Sequence, residues 1–130
     1  MVKVTVEVWL CMLTVTVMDL VEQIYCLTRA FPKQETYALS SQMQRAAVSI
    51  PSNIAEGHER EHIKEYLHHL SMAQASVAEL ETQIEIASRL GYLTRGQFDQ
   101  TFDFTQSLGR QLRALRNSLA RTRSAPAPGT

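Results

Sequence analysis

Breakers are scarce in this chain. It holds four prolines and five glycines in 130 residues, and Pro126, Pro128 and Gly129 fall in the closing SAPAPGT. So few interruptions leave no room for the many turns of an all-β fold, and long helices are expected instead. The cysteines number two, Cys11 and Cys26. Without a short metal-type spacing they imply neither a disulfide framework nor a zinc knuckle, and a reduced, cytoplasmic setting is expected. Long hydrophobic runs are missing too. The apolar stretch 8–18 falls short of the roughly 18 residues a membrane span needs, and only Lys3 flanks it as a basic residue, so a soluble protein is expected. At 130 residues there is material for one domain, and 45% hydrophobic content supplies one ordinary core.

What is present is periodicity. Leu13, Val17, Leu20, Ile24, Leu27 and Phe31 recur at intervals of three and four up to Pro32, which predicts a first helix over about 10–31. Residues 1–9 alternate apolar and polar with β-branched side chains and stay unassigned. A second helix from about Thr36 carries Leu39, Met43, Ala46, Ala47, Ile50 and Ile54 on one face and is expected to end at Gly57. Pro51 inside it removes a backbone donor and crowds the Ala47 carbonyl. A kink or restart is therefore expected, with Ser49 or Ser52 serving the freed backbone groups. The third helix, about 59–90, places Ile63, Tyr66, Leu70, Ala73, Val77, Leu80, Ile84 and Ala87 at consecutive a and d positions of a heptad. Gly91 should close it. Thr94 and Gln97 form a T-x-x-Q capping box opening a fourth helix, whose stripe is Phe98, Thr101, Thr105, Leu108, Leu112, Leu115 and Leu119. Short connections imply an all-α, antiparallel up-down-up-down four-helix bundle over 1–123, followed by a disordered tail, 124–130.

Net charge is zero but unevenly placed. Residues 56–85 hold Glu56, Glu59, Glu61, Glu65, Glu79, Glu81 and Glu85 against Arg60 and Lys64, whereas residues 104–130 hold Arg110, Arg113, Arg116, Arg121 and Arg123 and no acid. Such a run can neutralise phosphates and give salt-dependent binding to RNA or DNA. Aromatics are not interleaved with these arginines, so the target would be backbone rather than bases. The plain alternative is a helix end that complements its own dipole and pairs with the acidic third helix. Other acids, Glu79, Glu81 and Glu85, lie off the inward stripe and are expected on a solvated or intersubunit face.

One short motif points to different chemistry. His58-Glu59-Arg60-Glu61-His62 spells H-E-x-x-H, the helix signature of zinc hydrolases. That chemistry needs both histidines on one helix face and a third ligand beyond it. Here Gly57 sits at a helix boundary, and the remaining donors, Glu65 and His69, share one rod, so no catalytic residue and no metal are expected. The alternative function kept beside this is a metal-dependent hydrolase at 58–62, or a purely structural protein-protein module.

The segment FPKQETYALSSQMQRAAVSIPSNIAEGHER at 31–60, followed by KEYLHHLSMAQASVAELETQIEIASRLGYL, resembles the bacterial 23S rRNA-intervening sequence proteins. The resemblance rests on F-P at 31–32, A-A-V-S-I-P-S-N-I-A-E-G at 46–57, A-E-L-E-T-Q at 78–83 and L-G-Y at 90–92, and covers about 18–119. It implies a four-helix bundle and, by similarity to the accessory protein of diversity-generating retroelements, a ring of five. It also implies contact with nucleic acid or a protein partner through a basic surface, with no catalytic residues. Its motif positions are Ser49, Pro51, Ser52, Asn53, Glu56 and Gly57. Before the A-A-V-S-I-P block the family has an arginine pair where Gln44 precedes Arg45, which leaves Arg45 as the basic residue there. The motif residues have backbone tasks that explain them structurally, and a binding patch of Ser49, Ser52, Asn53 and Glu56 is the functional alternative.

Overall fold

The computed structural model describes the backbone of residues 2–124 and the side chains of residue 10 and residues 12–122. Four helices follow one another: α1 (Val2–Arg29), α2 (Leu39–His58), α3 (Ile63–Arg89) and α4 (Arg95–Ser124), with a 3-10 turn at Lys33–Glu35 after α1. Among the described residues there is no strand. The molecule is an all-α bundle.

The period-two alternation at the start does not make a strand, because α1 is helical from Val2. A lone strand would leave its backbone donors and acceptors unpaired, and a helix satisfies them internally whatever the side-chain preference. At its other end α1 tightens into three-residue turns, Ala30 N–H donating to Leu27 O (3.2 Å) and Phe31 N–H to Thr28 O (3.1 Å). The helix therefore closes at Arg29, two residues short of the expected limit, since Pro32 disfavours helical backbone before it. Phe31 still reaches the core and packs on Tyr92, ring centroids 5.2 Å apart.

Two boundaries in the middle differ from expectation. α2 starts at Leu39, because residues 33–38 are spent on consecutive turns. It runs through Gly57 to His58, so Gly57 is not a terminator. Its positive-φ freedom is unused. A Cβ at Gly57 would lie 2.8 Å from His69 Cβ and 3.1 Å from Tyr66 Cδ1, so the residue is glycine to let α3 approach. α3 then begins at Ile63 rather than near 59, with residues 59–62 making the reversal. Pro51 lies inside α2 and the helix does not restart there. The hydroxyls around it serve neighbouring carbonyls rather than the one Pro51 frees: Ser49 Oγ donates to Ala46 O (2.7 Å) and Ser52 Oγ to Val48 O (2.9 Å).

The last junction follows its sequence signals. Gly91 has φ 78°, its N–H donates to Ser88 O and Tyr92 N–H donates to Ala87 O, the paired bonds of a Schellman closure. Thr94 N–H donates to Gln97 Oε1 (2.9 Å) and Gln97 N–H to Thr94 Oγ1 (3.1 Å), a complete capping box. Of the expected tail, Ser124 is the last residue of α4 and 125–130 lie outside the described residues.

The four stripes meet in one core. Every stripe residue of α1 and α2 is buried, as are all of α3 and α4 apart from the partly buried Ile63 and Phe98. Burial of each large aliphatic contributes roughly 1.5–3 kcal/mol before chain entropy is counted. Packing joins α1 to α2, α2 to α3, α3 to α4, and α4 back to α1. Ser49 meets Ser76, Asn53 meets His69 and Gly57 faces Tyr66, so numbers rise along α2 as they fall along α3. The heptad stripe of α3 is consumed by this internal core, and gives no support of its own to self-association.

Candidate nucleic-acid interface

On α4 the core takes Leu108, Leu112, Leu115 and Leu119. A helix turns 100° per residue, which puts positions 110, 113 and 121 on the side away from that stripe and 116 on its α3 flank. Arg110, Arg113, Arg116 and Arg121 are all exposed. Arg110 and Arg113 border a shallow groove between α3 and α4, shared with Gln74, Glu81, Gln106 and Gly109. Arg116 Nη1 donates to Gln74 Oε1 at 3.1 Å, crossing to α3. Arg123 belongs to α4 by its backbone, and its side chain lies outside those described.

Among the described residues, ion pairing lies elsewhere. The described pairs are His69–Glu56, Arg89–Glu85 and Arg95–Asp99. Among the described residues, none of Arg110, Arg113, Arg116 or Arg121 has a carboxylate at ion-pair distance. The acidic α3 thus makes no ion pair with the arginine face of α4 among the described residues, although Glu81 lines the groove that Arg110 and Arg113 border. Position Gln74, which ties Arg116 down, was not a candidate from sequence. Its signal is its place beside core residue Ala73, on the flank of α3 that α4 covers.

Arg45 is exposed as well, but it borders the other side of α3, in a groove with Gln42, Met72 and Glu79. The fold does not bring it to the α4 arginines.

The family-motif residues are divided between a seam and a surface. Ser49 Oγ and Ser76 Oγ are 2.6 Å apart, sharing a hydrogen bond between α2 and α3. Asn53 Nδ2 donates to Ser49 O at 2.9 Å, while its Oδ1 faces His69 Nδ1 at 3.2 Å. Glu56 Oε2 is 3.7 Å from the same ring nitrogen. Two oxygen acceptors facing Nδ1 call for the tautomer that carries its hydrogen there. Ser49, Asn53 and Gly57 thus hold helices together, whereas Ser52 and Glu56 are exposed. The His69 contact was not expected from sequence.

The H-E-x-x-H letters come apart in space. His58 is the last residue of α2 and His62 precedes α3 with extended backbone (φ −104°, ψ 134°), so the two imidazoles do not share a helix face. The His58 ring instead stands edge-on to Tyr66, 5.9 Å between centroids. Among the described residues no group of three or more potential ligands is placed to hold a metal. Tyr66 is 7% exposed, its hydroxyl is buried without a hydrogen-bond partner among the described residues, and burial raises its pKa above the ordinary phenol value. Among the described residues no helix is long and apolar enough to cross a membrane.

The bundle is similar to a crystal structure of a protein of unknown function from the S23 ribosomal protein family of Bacteroides thetaiotaomicron, with TM-score 0.78 and 20% identity over 84% of this chain and 98% of that one. At that identity the likeness concerns the fold. No curated protein matches the chain. The family model described as 23S rRNA-intervening sequence protein matches residues 13–114, which reach into all four helices, and the chain belongs to that family.

Proposed function

We propose that this protein is a non-enzymatic, oligomeric helical-bundle adaptor, cytoplasmic in setting, that binds the phosphate backbone of RNA or DNA through the arginine face of α4. The observation that carries the reading is the set Arg110, Arg113, Arg116 and Arg121, exposed on one helix with no carboxylate at ion-pair distance among the described residues. Guanidinium groups held on a rigid helix displace condensed counterions when they meet phosphates, and that release drives binding without reading sequence. Arg45 stands apart from this face, across α3. The ring of five implied by the family resemblance repeats this face and multiplies weak contacts through effective concentration.

Fluorescence anisotropy of structured RNA and duplex DNA, measured from low to near-physiological salt, tests the proposal. Wild type should bind with a steep salt dependence. Joint replacement Arg110→Ala, Arg113→Ala and Arg116→Ala should shallow the log–log salt slope by about 2.7. Absence of binding at low salt would remove nucleic acid from the account. It would favour a structural module whose arginines meet the acids of a neighbouring copy, a reading supported by Glu79 and Glu81, which have no cation at ion-pair distance among the described residues.

A further inference from the structure

The groove between α3 and α4 holds three features that an arginine face alone does not account for. Gln74 Oε1 accepts a hydrogen bond from Arg116 Nη1 at 3.1 Å, which holds that guanidinium at the groove. The N–H groups of Arg113 and Arg116 and the Nε2 hydrogens of Gln74 are all donors, the set from which a phosphate accepts. Gly109 lies in the middle of α4 and lines the same groove with Ala78. Glycine inside a helix is destabilising relative to alanine, and no internal contact calls for it here. A Cβ at Gly109 would meet, within 4 Å, only Val77 Cγ1 at an ordinary 3.9 Å. Glu81 lines the groove as well, with no cation at ion-pair distance among the described residues.

The order of these groups along the groove fits one kind of ligand. Gln74 meets Arg116 and Val77 lies beside Gly109, so numbers rise along α3 as they fall along α4, and Glu81 stands level with Gln106. Seven residues separate Gln74 from Glu81, and seven separate Gln106 from Arg113, about 10 Å along each helix. One end of the groove thus offers donors and the other a carboxylate and a carboxamide. Ala78 and Gly109 leave the floor open between them. A phosphate backbone alone is repelled by a carboxylate. A base with an exocyclic amino group is not, since Glu accepts from cytosine N4 and Gln pairs with adenine N6 and N7. In a duplex those edges lie inside its grooves, out of reach of a cleft between packed helices, whereas an unpaired base projects. We propose that the α3–α4 groove receives one unpaired nucleotide, its phosphate on Arg113, Arg116 and Gln74 and the amino edge of its base on Glu81 and Gln106. This rests on the reading of α4 as the nucleic-acid face, and adds a selection that phosphate contacts lack.

Fluorescence anisotropy of the full chain with labelled oligocytidylate, oligouridylate and an RNA duplex, from low to near-physiological salt, decides it. Uracil presents no amino group, so wild type should bind oligocytidylate about fivefold or more tighter than oligouridylate. Glu81→Ala should erase that preference while tightening oligouridylate, because a charge that repels phosphate is gone. A merely structural role would move both probes in the same direction. Gly109→Leu should fill the groove, keep or raise the melting temperature, weaken oligocytidylate to the level of oligouridylate and leave the duplex on the arginines. Equal affinity for the two single strands in wild type, a cytosine preference that survives Glu81→Ala, or equal weakening of duplex and oligocytidylate by Gly109→Leu would overturn the groove and leave the arginine face standing. Absence of binding by every probe at low salt would overturn both. The wild-type comparison needs no variant, so the test stays open if a substituted protein does not fold.

Discussion

At the residue scale, Gly57 and Tyr66 make one junction with opposite demands. Gly57→Ala would place a Cβ against His69 Cβ and the Tyr66 ring and carbonyl, and the α2–α3 approach cannot yield without shifting backbone. The variant should lose about 1–3 kcal/mol, read as a lower urea midpoint with unchanged slope. Tyr66→Phe should behave differently. Its buried hydroxyl has no partner among the described residues, so removing it should leave stability unchanged or raise it by about 1 kcal/mol. The same burial lifts the folded-state pKa above that of the unfolded chain. The neutral phenol's contribution is therefore complete below about pH 10 and is lost as pH climbs from there through the folded-state pKa. Wild type should destabilise more steeply than Tyr66→Phe in alkaline melts. Neither role was legible in the sequence: glycine after A-E reads as a helix stop, and only the neighbouring helix shows what the missing side chain admits.

At the scale of the element, local signals were trustworthy where the chemistry is local. The Thr94–Gln97 box and the Gly91 closure can be read from the letters because each is a bond between residues three to five apart. Thr94→Ala should cost about 1 kcal/mol, measured by thermal or urea unfolding, with Gln97→Ala losing the reciprocal half. The apolar stripes were legible for the same reason, since helical period follows from sequence alone and each stripe found a core. The first nine residues were not, and the 58–62 motif was legible only as far as the helix boundary beside it. A strand pattern and a metal signature both assume a surrounding structure, a partner strand in one case and a continuous helix in the other, and the fold provides neither among the described residues. Recognition of the site was partial likewise. The arginines were visible as a run, while the separation of Arg45 by the width of α3 and the tether from Gln74 to Arg116 depend on which helices are neighbours.

Over the whole molecule, a neutral total conceals two faces of opposite character, an arginine face on α4 and an acid-bearing α3. Each would meet a different class of surface, so substitutions on α4 and at Glu79 on α3 should act separately on nucleic-acid affinity and on self-association. One modest contact also bears on how such a molecule comes into being. Gln23 Nε2 donates to the buried Thr101 Oγ1 at 2.9 Å across 78 residues of chain, joining the first helix to the last. The α2–α3 and α3–α4 pairs can zip from short turns, but the α1–α4 seam closes only after the chain between is gathered. Its loop-closure cost grows with the logarithm of that length. In kinetic terms that seam belongs late on the folding route, where weakening a contact hastens unfolding and leaves the folding rate nearly untouched.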